Sequence, residues 1–311
     1  MRALVTGAGG FVGAHLVARL VADGWDVTCT VRPGGSQARI TDLGVRGAVD
    51  VVEADLSDRG ATDAAGRAAR VDVAFLLAAA RAGATPAERA ATAAVNSTGA
   101  VWLVDALGEH CRAVVRLGSS TEYAQTDGPI DESAPLAPPS FFGATKAAGS
   151  LLLAASAARR GVRSAVLRAF QVYGPLDHTG RLVPAALRAA LDGTTLPLTQ
   201  PGSCRDWVYV DDVVECCVRA ALADELPSGQ VVNVGTGRQT TNEGVVAEVE
   251  RVTGRSVAVA VGAHGGRQWD TRSWVCDPSG ARHLLGWEAK IDLADGLTRC
   301  WDSLCGGRQR R

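Results

Sequence analysis

Short apolar runs rich in β-branched residues alternate with longer, alanine-rich segments through the first half of the chain. The runs Arg2–Thr6, Asp26–Val31, Val49–Ala54, Val71–Ala78, Ala113–Gly118 and Arg163–Arg168 predict strands. Several are apolar without alternation, as strands buried on both faces are. Helical periodicity lies between them. In Phe11–Asp23, Val12, Leu16 and Leu20 fall on one face and Gly24 is a stop signal. Repeated β-α-β of this kind predicts an α/β fold with a parallel sheet covered by helices. The second half changes character. Prolines and glycines cluster over 174–202, after which Val208–Val214 and Val231–Val234 read as further strands. No internal repeat or low-complexity linker divides the chain.

With 311 residues, 47% hydrophobic and 21% charged, the chain is long enough for a sizeable core and too apolar for disorder. Its 32 basic and 33 acidic residues leave a net charge of -1, which recommends no nucleic-acid partner. The like-charged cluster Arg308, Arg310 and Arg311 reads as a frayed tail. No apolar run is expected to reach the ~18 residues of a membrane helix, and no signal peptide is expected. Eight cysteines include no C-x-x-C pair, which predicts reduced thiols in a cytoplasmic protein and no disulfide framework. No spacing of His, Asp or Cys suggests a metal. Lysine occurs only at 146 and 290, so each lysine is informative.

Residues 4–13 read Leu-Val-Thr-Gly-Ala-Gly-Gly-Phe-Val-Gly. Gly7, Gly10 and Gly13, with Phe11 and Val12 opening the helix, form G-x-x-G-x-x-G between a strand and a helix. Glycines there let the backbone approach a pyrophosphate, and the helix N-terminus offers it N–H groups. The sheet is thus expected to be a doubly wound parallel Rossmann sheet formed by residues 1–168 and 206–234. A smaller C-terminal α/β substrate-binding domain would take residues 169–205 and 235–311. An acid at the end of the second strand would mark NAD through the ribose hydroxyls. The chain instead reads Thr30-Val31-Arg32-Pro33, and Arg32 could pair a 2′-phosphate, so NADP is expected with NAD as the alternative.

Further segments follow in order: Val52-Glu53-Ala54-Asp55-Leu56, Leu76-Leu77-Ala78-Ala79, Gly118-Ser119-Ser120, Lys146, and Leu167-Arg168 through Tyr173-Gly174-Pro175. With the glycine loop they resemble the extended short-chain dehydrogenase/reductases. Arg205–Asp212, Asn233–Gly237 and Leu285-Gly286-Trp287 resemble the nucleotide-sugar branch of that family, its epimerases, dehydratases, decarboxylases and ketoreductases. The resemblance covers nearly the whole chain. It implies that Asp55 and Leu56 touch the adenine, and that Ala78 and Ala79 line the cofactor. It implies that Ser120, with Thr121 beside it, bonds the reacting sugar oxygen, and that Lys146 binds the nicotinamide ribose. It also implies a homodimer, formed by pairing helices around Ser97–Gly108 and Gly143–Arg160, with Ala144, Ala147, Ala148 and Leu151 on the contact face.

The family pattern is Tyr-x-x-x-Lys, but here Phe142 stands four residues before Lys146, and Tyr123, Tyr173 and Tyr209 belong to other motifs. Hydride transfer at a carbonyl calls for a proton donor of near-neutral pKa, and a phenol beside a lysine supplies one. Either the chain carries an inactivating Tyr→Phe substitution, which the intact surroundings favour, or the usual acid/base has been abandoned. Glu122 reads equally as a general acid or base and as a structural hydrogen-bond partner. For the substrate diphosphate the resemblance points to Arg205 and Arg267, with Arg181 a third contact. Gln171 stands where many relatives carry Asn. His178 reads as a loop residue. Together these features lead to an NADPH-dependent 4-ketoreductase of a nucleoside-diphosphate hexose. The alternatives are a redox-neutral NAD-dependent 4-epimerase, dehydratase or decarboxylase, and a cofactor-binding protein without catalysis.

Overall fold

The computed structural model describes residues 1–81, 83–265 and 271–309, the side chains of 307–309 aside. The first strands are β1 (Arg2–Thr6), β2 (Asp26–Val31), β3 (Asp50–Glu53), β4 (Val73–Leu76), β5 (Ala113–Ser119) and β6 (Arg163–Ala169). After them come β7 (Gln171–Tyr173), β8 (Leu196–Leu198), β9 (Cys204–Tyr209), β10 (Gln230–Val234), β11 (Gln239–Thr241) and β12 (Val259–Val261). Seven of these form one sheet in the order β10-β6-β5-β4-β1-β2-β3. Every neighbouring pair in it is parallel. The order reverses at β1, which opens a crevice at the carboxyl ends of β1, β4 and β5. All four residues of β4, and β1 beyond Arg2, are buried, as a centre covered on both faces requires.

Helix α1 (Phe11–Ala22) packs Leu16, Val17 and Leu20 on the sheet. The chain then forms α2 (Ala38–Asp42), α3 (Arg59–Ala68), α4 (Pro86–Ala93) and α5 (Gly99–Ala106). Thr85 and Glu88 close a reciprocal capping box on α4, with Pro86 in the first turn. A π-helical turn, Ala94–Thr98, separates α4 from α5. Helix α6 (Phe141–Arg160) starts where the Ser140 hydroxyl accepts the Gly143 N–H and stops at the left-handed Gly161, φ 65°. By length and composition it could span a membrane, against the sequence expectation, but half of it is buried in the protein. Ala144, Ala148, Leu151, Leu152 and Ala155 form its exposed stripe, whereas Ala147, expected there, is buried.

The remaining helices are α7 (Leu182–Asp192), α8 (Val210–Leu222), α9 (Asn242–Thr253), α10 (Ser279–Leu285) and α11 (Leu293–Gln309). The run Val208–Val214, expected as one strand, divides at Val210. β9 ends at Tyr209, and Asp211 and Asp212 then occupy the first turn of α8. Val213, Val214, Cys216 and Cys217 are buried on that helix, so amphipathic packing overrides the β-branched preference. β9 pairs with β7 and β11 in a small separate sheet, while β10 returns to the main one.

Candidate active site

The turn after β1 is shaped by close backbone contacts. Gly7 has φ 70°, and a Cβ there would lie 2.7 Å from Ala78 N and Cα. A Cβ on Gly13 would strike the Gly7 carbonyl oxygen. The Gly10 N–H donates to Gly7 O at 2.9 Å, and no side chain caps α1 at Gly10. The first turn of α1, opened by half-buried Phe11 and Val12, contains no acid. Its N–H groups and positive dipole end are therefore suited to a pyrophosphate, and the residues fit a dinucleotide. Arg39 ties this loop down, donating to Gly9 O at 3.1 Å and Leu176 O at 2.8 Å.

Arg32 is exposed at the end of β2, in a turn closed by Gly35 N to Arg32 O at 2.7 Å. Asp55 follows β3. The Ser57 backbone and hydroxyl, at 2.9 and 2.7 Å, hold its carboxyl below the usual range, and nearby Arg32 adds a little. Leu56 is buried, with its carbonyl against Gly99. Ala78 donates its N–H to Thr6 Oγ1 at 3.2 Å, and Ala79 is exposed.

At the end of β5 the chain makes a short 3-10 turn, Ser120–Glu122. Ser120 is buried and its hydroxyl accepts the Trp274 indole N–H at 2.9 Å. Ser119 and Thr121 are half-buried, with their hydroxyl oxygens 2.8 Å apart. The Thr121 carbonyl abuts Gly143, the residue after half-buried Phe142. Glu122 is fully buried. One carboxylate oxygen accepts the Ser119 N–H at 2.9 Å and the other pairs with Arg168 Nε at 2.8 Å. Arg168 stacks 4.5 Å from the Tyr123 ring centre, and the Tyr123 hydroxyl donates to Asn233 Oδ1 at 2.8 Å. Of the two roles open for Glu122, this geometry gives it the structural one. Lys146 is buried and donates to Leu117 O at 2.5 Å. Burial, and then the Arg116 guanidinium, lower its pKa to about 7, with Glu122 opposing.

Two residues not singled out from the sequence join this site. Asn96, in the π-helical turn, is fully buried. Its side chain bonds both backbone groups of Ala80 at 2.8 Å and donates to Thr145 Oγ1 at 3.0 Å. Its carbonyl accepts from Arg116 Nη2. An Asn inside an alanine-rich helical run and an Arg inside an apolar strand were the available signals.

Gln171 and Arg205 lie on adjacent strands β7 and β9 of the small sheet, both half-buried. Arg205 donates to Cys204 O at 2.6 Å. Arg181 precedes α7 and pairs with Asp177 at 3.6 Å. His178 is exposed and its Nδ1 accepts the Gly180 N–H at 3.2 Å. Arg267 lies outside the described residues. All eight cysteines are free thiols, and no group of three or more potential ligands suits a metal among the described residues.

A family model described as the NAD dependent epimerase/dehydratase family matches residues 3–235. A UDP-glucose 4-epimerase of Mycolicibacterium smegmatis is 32% identical over 318 residues, spanning 96% of this chain and 97% of that one. A dTDP-glucose 4,6-dehydratase of Streptomyces griseus is 30% identical over 305 residues, 94% and 91% of the two chains. Among solved structures, MoeE5 in complex with UDP-glucose and NAD superposes with a TM-score of 0.84 at 28% identity, covering 99% of this chain and 100% of that one.

Proposed function

The chain belongs to the NAD-dependent epimerase/dehydratase family of nucleotide-sugar enzymes, and from that premise we propose that it is an NAD-dependent 4-epimerase of a nucleoside-diphosphate hexose. Glu122 carries the choice. A dehydratase needs an acid or base beside the sugar to expel water, and this carboxylate, the sequence candidate, is committed to Arg168 and the Ser119 N–H. Epimerisation asks only for proton exchange at the C4 oxygen and for room to turn the keto sugar. The epimerase of M. smegmatis and the NAD and UDP-glucose bound by MoeE5 support the same reading. A second reading, an NADPH-dependent 4-ketoreductase, is favoured by Arg32, exposed at the end of β2 with no acid in place.

In either case the nicotinamide supplies the hydride acceptor and donor. The Gly7–Gly13 turn would hold the pyrophosphate, Asp55 and Leu56 the adenine, Ala78 and Ala79 the walls of the groove, and Lys146 the ribose. Arg205, Gln171, Arg181 and Arg267 would receive the sugar diphosphate, as a multiply charged, bidentate anion requires. Ser120's oxygen accepts the Trp274 indole N–H, which leaves its own proton free to donate to the C4 oxygen, whereas one proton of the Ser119–Thr121 pair is spent between those two hydroxyls. The exposed α6 stripe would pair two copies into a homodimer. To test the reaction, the purified enzyme is incubated with UDP-glucose and dTDP-glucose, and products are read by proton NMR. A C4 epimer is expected. Accumulation of a 4-keto-6-deoxy sugar, or consumption of NADPH with a 4-keto sugar, would replace this reading by the dehydratase or the ketoreductase.

A further inference from the structure

Three of the described tryptophans are buried, and an indole N–H can only donate. Trp207 gives its N–H to the Thr240 carbonyl at 3.3 Å, and Trp287 to the Asp212 carbonyl at 2.9 Å. Backbone acceptors of this kind suffice to satisfy a buried ring. Trp274 differs. Its N–H donates to the buried Ser120 hydroxyl at 2.9 Å, across 154 positions of sequence. That hydroxyl follows β5, at the crevice where the sheet order reverses, one strand from the cofactor cradle. It has one proton and two lone pairs, and no described residue accepts the proton.

The indole is held in place from the small sheet. The Trp274 backbone N–H donates to Gln239 Oε1 on β11 at 3.0 Å, and the Cys276 N–H donates to Asp206 Oδ2 on β9 at 3.1 Å. Asp206 is fully buried, and its carboxylate also takes the N–H groups of Thr236 and Gly237 at 2.8 and 2.9 Å. Between the two anchors, the Val275 carbonyl accepts the Ile130 N–H at 2.9 Å. The ring itself packs with Tyr123, Ile130, Phe170 and Cys276 in one apolar cluster. β9 and β11 belong to the sheet that carries Arg205 and Gln171. A braced strut thus runs from that sheet to the hydroxyl at the end of β5.

We propose that Trp274 is a positioning residue: by filling one lone pair of the Ser120 hydroxyl, its indole N–H aims the Ser120 proton at the sugar C4 oxygen. The proposal rests on the reading that the sugar reacts at C4 beside Ser120. With the indole in place the hydroxyl cannot turn its proton toward Trp274, and a hydroxyl that accepts a hydrogen bond is a stronger donor. Hydride transfer at C4 passes through negative charge on the attached oxygen, and a donor already aimed there stabilises it without reorganisation. Phe142 offers no O–H for the same task.

The test separates orientation from packing. Trp274→Phe removes the N–H and keeps an aromatic ring, and Trp274→Met removes it with a flexible apolar chain. kcat and KM are measured on whichever nucleotide sugar the product assay shows to react. Epimerisation, dehydration and ketoreduction all pass hydride at C4, so failure of the epimerase reading leaves the comparison intact. Failure of every nucleotide sugar to react would remove that reading and the proposal together. In a folded variant kcat should fall about tenfold, less than the roughly 10²–10³ lost with a direct oxyanion donor, while KM and cofactor affinity stay nearly constant. In a Ser120→Ala background the same substitution should cost nothing further. An unchanged kcat, a loss confined to KM, or an equal loss in the Ser120→Ala background would overturn the proposal. Proton–nitrogen-15 NMR of the indoles gives a second readout. Binding of the nucleotide sugar should move the Trp274 indole signal in the unmodified chain and leave it still in Ser120→Ala. Should neither Trp274 variant fold, that signal decides: a move that requires Ser120 upholds the proposal, and no move, or one that persists in Ser120→Ala, overturns it.

Discussion

The turn after β1 and the turn after β5 lie at the same edge of one sheet with a single strand between them, yet they use different materials. The first is backbone. Gly7 and Gly13 work by lacking side chains, and the charge offered to a ligand is that of a helix end. The second is side chain. Lys146, Arg116, Arg168 and Glu122 are ionisable groups held out of water, and the Glu122 carboxylate acts on each of the other three. A backbone cradle tolerates almost any neighbour that leaves its space open. A buried charge cluster tolerates few single changes, because removing one member leaves another without its counterpart.

This difference sets the expected order of mutational effects. The largest falls in the charge cluster. Glu122→Ala leaves Arg168 buried without its carboxylate and should cost about 3–5 kcal/mol in urea unfolding. A loss below 1 kcal/mol would mean that water reaches the cluster. Next comes the cradle. Gly13→Ala places a methyl on the Gly7 carbonyl and should cost about 1–3 kcal/mol, with cofactor affinity falling at least about tenfold by calorimetry. Unchanged affinity would show that the cofactor does not use this turn.

Phe142→Tyr sharpens the comparison from the other side. It restores a phenol beside Lys146 without disturbing the cradle. Steady-state turnover should rise at least about tenfold while cofactor affinity stays nearly constant. A chain already fast with Phe142, and no faster with Tyr, would leave the proton relay wholly to other groups. The smallest effect is one of pH. Because the Lys146 pKa lies below its unfolded value, the unfolded chain binds more protons between about pH 7 and 10.4, and stability rises with pH across that window. Cys29, Cys111 and Cys217, pushed up by burial, oppose this rise once thiols ionise in the unfolded chain, above about pH 8.5. Between pH 7 and that point, the melting temperature should climb more in the unmodified chain than in Lys146→Met. Parallel curves would show that the lysine is charged in the folded state.

The same contrast explains what the sequence made legible. Glycine spacing is a local pattern, so the cradle could be read from residues 4–13 alone. The strands of the parallel sheet were equally local, as continuous apolar runs. Val208–Val214 misled because a β-branched run also suits one face of a helix, and only packing decides between them. The reaction end depends on pairings distant in sequence. Nothing near Ser120 foretells that Trp274 will occupy its oxygen, or that Arg168 will claim Glu122. Arg116 looked like one arginine among many, and its importance lies in where β5 carries it.

The sheet order also bears on how the chain is made. β10 closes the β6 edge of the sheet, but it is synthesised only after β7, β8 and β9 of the smaller sheets. Chains emerge from the ribosome N-terminus first. An edge of β6, buried from Ser164 to Ala169 in the finished fold, therefore waits open while those intervening segments are translated. Such an edge is a template for pairing with another nascent copy. A pause in translation before Gln230 would lengthen that exposure, whereas rapid passage through 170–230 would shorten it.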